Sequence, residues 1–168
     1  LTERRPFFLE GRDVFETPLG VVYTRSIGRP DVATKLTGRS GSWRIGALWA
    51  EDGEPPDSVQ DSALDPKPGA ITKVLRLQHD IDDGSIGLFL VHKDLGEDAF
   101  NLVHGVDAEG NLTDRLAANA SVFISQTQDH EGKPSNGRAA QGKLTYQTED
   151  FRVILLTEQI TEPFRSEA

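Results

Sequence analysis

Cysteine, methionine and long apolar runs are missing from this chain of 168 residues, and aromatic residues make up only 7% of it. Without cysteine there are no disulfides, no thiol catalysis and no zinc–thiolate sites. No apolar run approaches the roughly 20 residues of a spanning helix, and no signal peptide is visible. Because the chain opens on Leu1 and has no methionine, we expect it to be part of a longer protein.

Basic residues are also in deficit, with 18 Lys and Arg against 27 Asp and Glu and a formal net charge of −9. This balance argues against binding nucleic acid or an anionic membrane surface through bulk electrostatics. The mean hydropathy is −0.43, which taken alone is typical of a water-soluble protein. We therefore expect no nucleic-acid partner.

What the sequence does contain, from Pro18 onward, is alternation with a period of two residues, interrupted by turn residues. The clearest unit is VLRLQHDIDDGSIGLFLVHK, where Asp83-Gly84 has the composition of a type I′ turn. That turn would place Ile81 opposite Ile86 and make one face of the hairpin nearly all apolar.

Three more hairpins follow from the same test, with turns at Ser40-Gly41, at Thr113-Asp114-Arg115 and at Glu149-Asp150. A ninth strand is predicted over Leu19–Ser26. The fold class is therefore predicted to be all-β, an antiparallel up-and-down meander of about nine strands over residues 18–168. Residues 1–17 are predicted to be a non-strand lead-in or plug.

The predicted connections alternate in length. Turns within hairpins have two or three residues, whereas polar segments over 52–69, 129–137 and, more briefly, 96–99 join one hairpin to the next. In a meander, all short turns then lie at one end and all longer loops at the other. Transmembrane β-barrels have this asymmetry, so we predict a fragment of such a barrel.

Aromatic placement favours the same interpretation, because barrels carry aromatic girdles near the two membrane interfaces. Trp43 and Trp49 share the apolar face and stand roughly 20 Å apart. The girdle candidates are Trp43, Trp49, Tyr146 and Phe151. A soluble antiparallel sandwich or barrel alternates in the same way with its apolar face turned inward, and histidines on the apolar face favour that alternative.

The opposite face of the predicted strands is heavily charged. In a barrel it would line an aqueous lumen and influence which solutes pass, and in a soluble protein it would be a solvated sheet face. The lumen-lining candidates are Lys35, Arg44, Arg76, Asp80, Asp107, Glu109, Lys143 and Arg152.

Few residues suggest catalysis. Glu3 and Glu10 form a candidate glycosidase pair, although their ordinary role would be to pair with neighbouring arginines. The four histidines lack metal-ligand spacing, and no phosphate loop or nucleophile elbow is present. We predict no catalytic residue, no metal and no cofactor, and thus no enzyme.

Six segments in order along the chain resemble the bacterial family called domain of unknown function 5916. They are ERRPFFLEGRDVF, VVYTRSIGRP, TKLTGRSGSWRIGAL, VLRLQHDI, NLVHGVDAEGNLTDRLAANAS and GKLTYQTEDFRVILL. The resemblance implies an outer-membrane β-barrel of a Gram-negative bacterium, downstream of a family 9-type carbohydrate-binding module that this chain lacks. The family has no established catalytic residues.

From this resemblance we expect a role in glycan binding or uptake at the envelope. The expected partners are outer-membrane lipid and a glycan ligand held through the upstream domain. The alternatives are a soluble periplasmic β-rich carbohydrate-binding module and, less favoured, a glycoside hydrolase. In the lead-in, the residues predicted to anchor against the barrel are Arg4, Arg5, Phe7, Phe8 and Glu10.

Overall fold

The computed structural model describes residue 7 and residues 10–20, 29–54 and 69–166. A short 3-10 helix, η1 (Arg12–Phe15), precedes eight strands. The strands are β1 (Arg29–Ser40), β2 (Trp43–Glu54), β3 (Ala70–Ile81), β4 (Gly84–Gly96), β5 (Ala99–Thr113), β6 (Leu116–Gln128), β7 (Pro134–Gln147) and β8 (Arg152–Ile160). Within these ranges, no helix is long and apolar enough to cross a membrane.

All eight strands belong to one antiparallel sheet in which each strand pairs with the next along the chain. The sheet is open, with β1 and β8 at its edges. The predicted all-β meander is therefore confirmed, and the open sheet is consistent with a fragment of a barrel. Most of the predicted ninth strand, residues 21–26, lies outside the described residues.

The strands are long. Seven of them contain 12 to 15 residues and β8 contains nine. Strands of globular proteins most often have about 5–6 residues, whereas a strand tilted across a bilayer needs about 9–11. Each strand is thus long enough to cross a hydrocarbon layer.

Two of the four predicted hairpin registers are confirmed. Val106 pairs with Val122 across β5 and β6, and Leu144 pairs with Leu155 across β7 and β8, both as predicted. A β-bulge lies between Asn111 and Thr113 at the end of β5. It shortens the predicted three-residue loop to two residues while the rest of the ladder keeps its register.

The other two predicted hairpins are wrong, because the register of each differs from the predicted one by two residues. Ser40 pairs with Trp43, so the first turn is Gly41-Ser42, and Ile81 pairs with Gly84, so the third strand turns at Asp82-Asp83. Because each ladder moves by two residues, every side chain keeps its predicted face.

Glycine geometry explains both corrections. Gly41 has φ of 58° and occupies the first central position of its turn, as in the type II′ pattern. Gly84 lies in β4, where an added Cβ would stand 2.3 Å from the backbone oxygen of Glu109. This glycine is therefore needed for the close approach of β4 and β5, and the turn is made without it.

The loop asymmetry is weaker than predicted. A two-residue turn, Glu97-Asp98, joins β4 to β5, and both residues have positive φ, 52° and 64°, as a type I′ turn requires. The predicted polar loop over 129–137 is also shorter, because β7 already begins at Pro134. The one long connection, between β2 and β3, lies mostly outside the described residues.

The two faces of the sheet differ in what they expose and what they bury. On what we call the outer face, aliphatic side chains are exposed, among them Leu88 (55%) and Val122 (50%). On the inner face, several charged side chains are buried, with Arg76 only 1% exposed and Asp107 6%. Soluble domains place most charged side chains on the surface and aliphatic ones inside.

The inner face also holds an apolar cluster, in which the rings of Phe89 and Phe123 meet edge to face at 6.2 Å. The buried members of the cluster are Leu48, Ala50, Val74, Phe89, Val91, Val103 and Phe123. Phe15 from the lead-in and Phe164 from beyond β8 pack against it. The segment before β1 and the segment after β8 thus each cover part of the inner face.

Candidate functional site

All eight predicted lumen-lining residues lie on the inner face. The strand register fixes this placement, since it pairs Arg44 with Gln78 and Gly87 with Asp107 across successive strands. Their access to solvent differs: Arg76 and Asp107 are buried, Glu109 and Arg152 are exposed, and the remaining four are half-buried, namely Lys35, Arg44, Asp80 and Lys143. The structure shows their common face, and their role in lining a lumen stays a prediction.

An ion pair crosses three strands in the middle of this face. The Arg76 side chain on β3 passes over β4 and donates to both carboxylate oxygens of Asp107 on β5, with Nη2 2.8 Å from Oδ1. It crosses at Gly87, where an added Cβ would lie 2.3 Å from Nη1. A residue with a side chain at position 87 would therefore displace the guanidinium.

A second charged group lies beside the β1–β2 turn. Asp80 on β3 accepts hydrogen bonds from Arg39 Nη2 at 2.6 Å and from Arg44 Nε and Nη2 at 3.1 and 2.6 Å. Arg39 was missing from the predicted site residues. In the predicted register it faced Ser42, whereas the true register places it directly opposite Arg44.

A line of polar side chains continues from this group across β4. Gln78 donates to Ser85 Oγ at 2.6 Å, and Ser85 Oγ lies 3.5 Å from Glu109 Oε1. Further along the face, a polar hollow of about 290 Å³ is bordered by Glu109, Asn119 and Lys143. This part of the inner face offers carboxylate, amide and ammonium groups close to one another.

The described part of the lead-in, Phe7 and residues 10–17, lies over β1 and β2 on the inner face. Lys35 Nζ donates to the backbone oxygens of Phe7 and Glu10, and it stands 5.0 Å from the centroid of the Phe7 ring. Gly46 allows the lead-in to approach, because an added Cβ would lie 2.8 Å from Val14 Cγ1 and 2.9 Å from the Phe15 ring.

The predicted anchoring residues can be placed only in part. Phe7 lies against the sheet, and Glu10 contacts Lys35 on β1 through its backbone carbonyl. Arg4, Arg5 and Phe8 lie outside the described residues, as does Glu3 of the candidate glycosidase pair.

Sequence reasoning missed the segment that follows β8. Its backbone folds onto the inner face, where Asn101 Nδ2 donates to the carbonyl oxygen of Arg165 at 3.2 Å and Arg165 N donates to Ser125 Oγ at 3.2 Å. Gly137 makes room for it, since an added Cβ would stand 2.2 Å from the backbone of Phe164. No periodic pattern marks such a segment in the sequence.

The aromatic girdle candidates lie on the outer face or at its short-turn end. Trp43 is 44% exposed and its ring lies 4.4 Å from that of His79. Tyr146 and Phe151 contact each other at 5.8 Å beside the β7–β8 turn. Trp49 is half-buried and shares its strand and face with Trp43.

Comparison of the chain with protein-family models, with curated proteins and with solved structures found no match. Among the described residues, no group of three or more His, Asp or Glu side chains is placed to hold a metal ion. The fold and the distribution of side chains between its two faces are therefore the basis for a functional proposal.

Proposed function

We propose that this chain is part of a β-barrel in the outer membrane of a Gram-negative bacterium, with its outer face against lipid and its inner face toward the barrel interior. The observation that carries the proposal is the exposed aliphatic outer face of an antiparallel sheet whose inner face buries charged groups. Monomeric soluble proteins rarely expose contiguous apolar patches larger than a few hundred Å². Contact with lipid removes the free-energy cost of exposing such a surface to water.

The slant of the apolar residues across the outer face supports the proposal. On β3 the apolar run between Lys73 and His79 covers 75–77, and on β8 it covers 153–155 and ends at Thr157. His79 on β3 and Thr157 on β8 belong to the same row of paired residues. On β3 the apolar run lies on the side of this row away from the short turns, and on β8 it lies on the short-turn side. A level hydrocarbon layer around a barrel of tilted strands would produce such a slant, because strands of membrane barrels tilt by about 35–45°.

Glycan binding or uptake, which the family resemblance implies, is the role we propose for the complete protein. The hollow beside Glu109, Asn119 and Lys143 supports it, because its carboxylate, amide and ammonium groups suit a solute rich in hydroxyls. A soluble periplasmic carbohydrate-binding module would need a further layer over the outer face. No specific observation favours a glycoside hydrolase.

Reconstitution tests the proposal. The complete protein, folded in detergent, is expected to migrate on a gel as a heat-modifiable species, because a closed barrel resists unfolding until it is boiled. It should also float with lipid vesicles in a density gradient. A folded monomer that stays soluble without detergent and does not float would contradict the proposal.

A further inference from the structure

Two arginines face each other at the β1–β2 turn. Arg39 and Arg44 are direct cross-strand partners on the inner face. Like charges in this arrangement destabilise a sheet unless another group compensates them. Asp80 is the one carboxylate in the described part of the chain that pairs with either arginine. The group of three therefore retains one positive charge in excess.

The arginines also keep unused donors. Arg39 donates through Nη2 to Asp80 and through Nε to the carbonyl oxygen of Gly41 at 3.3 Å, while Arg44 directs Nε and Nη2 at Asp80. Within the described residues, both Nη1 groups are without a partner. The side chains are 64% and 33% exposed, so a solute can reach them.

Among the described residues, the next carboxylate along this line of side chains, Glu109, forms no ion pair with either arginine. Glu109 lies beyond two neutral side chains, since Gln78 donates to Ser85 and Ser85 Oγ stands 3.5 Å from Glu109 Oε1. Guanidinium groups bind planar and tetrahedral oxyanions with paired N–H donors. The free donors of two adjacent guanidiniums, with one charge uncompensated, suit such a group.

We infer that Arg39 and Arg44 form a binding site for an oxyanion, such as the carboxylate or sulfate group of a solute, on the inner face. Asp80 pairs with both guanidiniums and competes with the bound oxyanion as an internal anion. The inference rests on the proposed function for the route of the solute, which would reach the site through the barrel interior. Binding of the anion itself does not require a membrane.

The test is a titration of the detergent-folded protein, labelled with nitrogen-15 in its arginines, with sodium sulfate and with sodium acetate. The Nε–H resonances of Arg39 and Arg44 are expected to shift on binding, and sodium chloride at equal ionic strength is the control. A tighter site for sulfate than for acetate assigns a tetrahedral ligand, and the reverse order assigns a carboxylate. No saturable shift with either salt would overturn the inference.

Variants distinguish binding at a specific site from a general effect of positive charge on this face. Arg39→Gln and Arg44→Gln are each expected to weaken binding about fivefold or more, and Asp80→Asn to tighten it by a similar factor because the competitor is removed. Lys143→Gln, which removes a positive charge elsewhere on this face, should change it by less than about twofold. Equal weakening by Arg39→Gln and Lys143→Gln would contradict the inference, as would weaker binding in Asp80→Asn that still folds.

The membrane proposal is tested separately on the same samples. Flotation with vesicles reports membrane insertion, while the titration reports anion binding. Saturable binding by a protein that does not float would keep the anion site and reject the barrel. Flotation without binding would keep the barrel and reject the site.

Discussion

Replacing Asp107 with asparagine is expected to lower the free energy of unfolding by about 3–5 kcal/mol. The Arg76 side chain is 1% exposed and donates to both oxygens of this carboxylate. Arginine stays charged in proteins, so the variant leaves a buried guanidinium without its counter-charge. Urea unfolding of the folded protein in detergent or lipid measures the loss.

Two further variants control this result. Arg152→Gln removes a charge from an exposed position of the same face and should change the free energy by no more than about 0.5 kcal/mol. Arg76→Met combined with Asp107→Leu removes both charges and should regain most of the stability lost in Asp107→Asn. Wild-type stability of Asp107→Asn would show that the pair is not buried as described.

Replacing Val122 with arginine is expected to destabilise the lipid-folded protein by about 2–4 kcal/mol, the cost of a basic side chain near the middle of a bilayer. Val122 is 50% exposed on the outer face of β6, between Ala120 and Ile124. At an exposed site of a soluble protein, the same change would usually cost less than about 0.5 kcal/mol. Equilibrium unfolding from vesicles measures the difference.

Gln126→Arg is the matched control, because Gln126 lies on the same strand and face but outside the apolar run. A basic side chain near the interface costs only about 0–1 kcal/mol. Equal, small losses in both variants would contradict a lipid-facing outer face.

Alternation predicts which face a side chain occupies more securely than it predicts the turn. A shift of two residues preserves every face, so period-two patterns cannot distinguish the predicted turns at Ser40-Gly41 and Asp83-Gly84 from the observed ones. Only the residue types in the turn can distinguish them. At Gly84 they mislead, because this glycine is needed for the close approach of β4 to Glu109 and not for the turn. The β7–β8 hairpin contains no competing glycine at its turn, and its register was predicted correctly.

The candidate site, too, could be predicted only in part from the sequence. The common face of the eight charged residues follows from alternation, whereas their pairing depends on contacts between strands. Arg76 reaches Asp107 only because β4 lies between β3 and β5 and carries Gly87 at the crossing point. The contacts of Phe7 and Arg165 with the inner face come from segments without regular repeats, where sequence offers no comparable signal.

Depth-dependent quenching of tryptophan fluorescence tests the central claim most directly. The chain has two tryptophans, so Trp49→Phe and Trp43→Phe leave Trp43 and Trp49 as single reporters. Folded in vesicles, both are expected to be quenched by lipids brominated on their acyl chains and shielded from aqueous iodide, because both lie on the outer face. Strong quenching by iodide with no response to brominated lipid would place that face in water and contradict the membrane barrel.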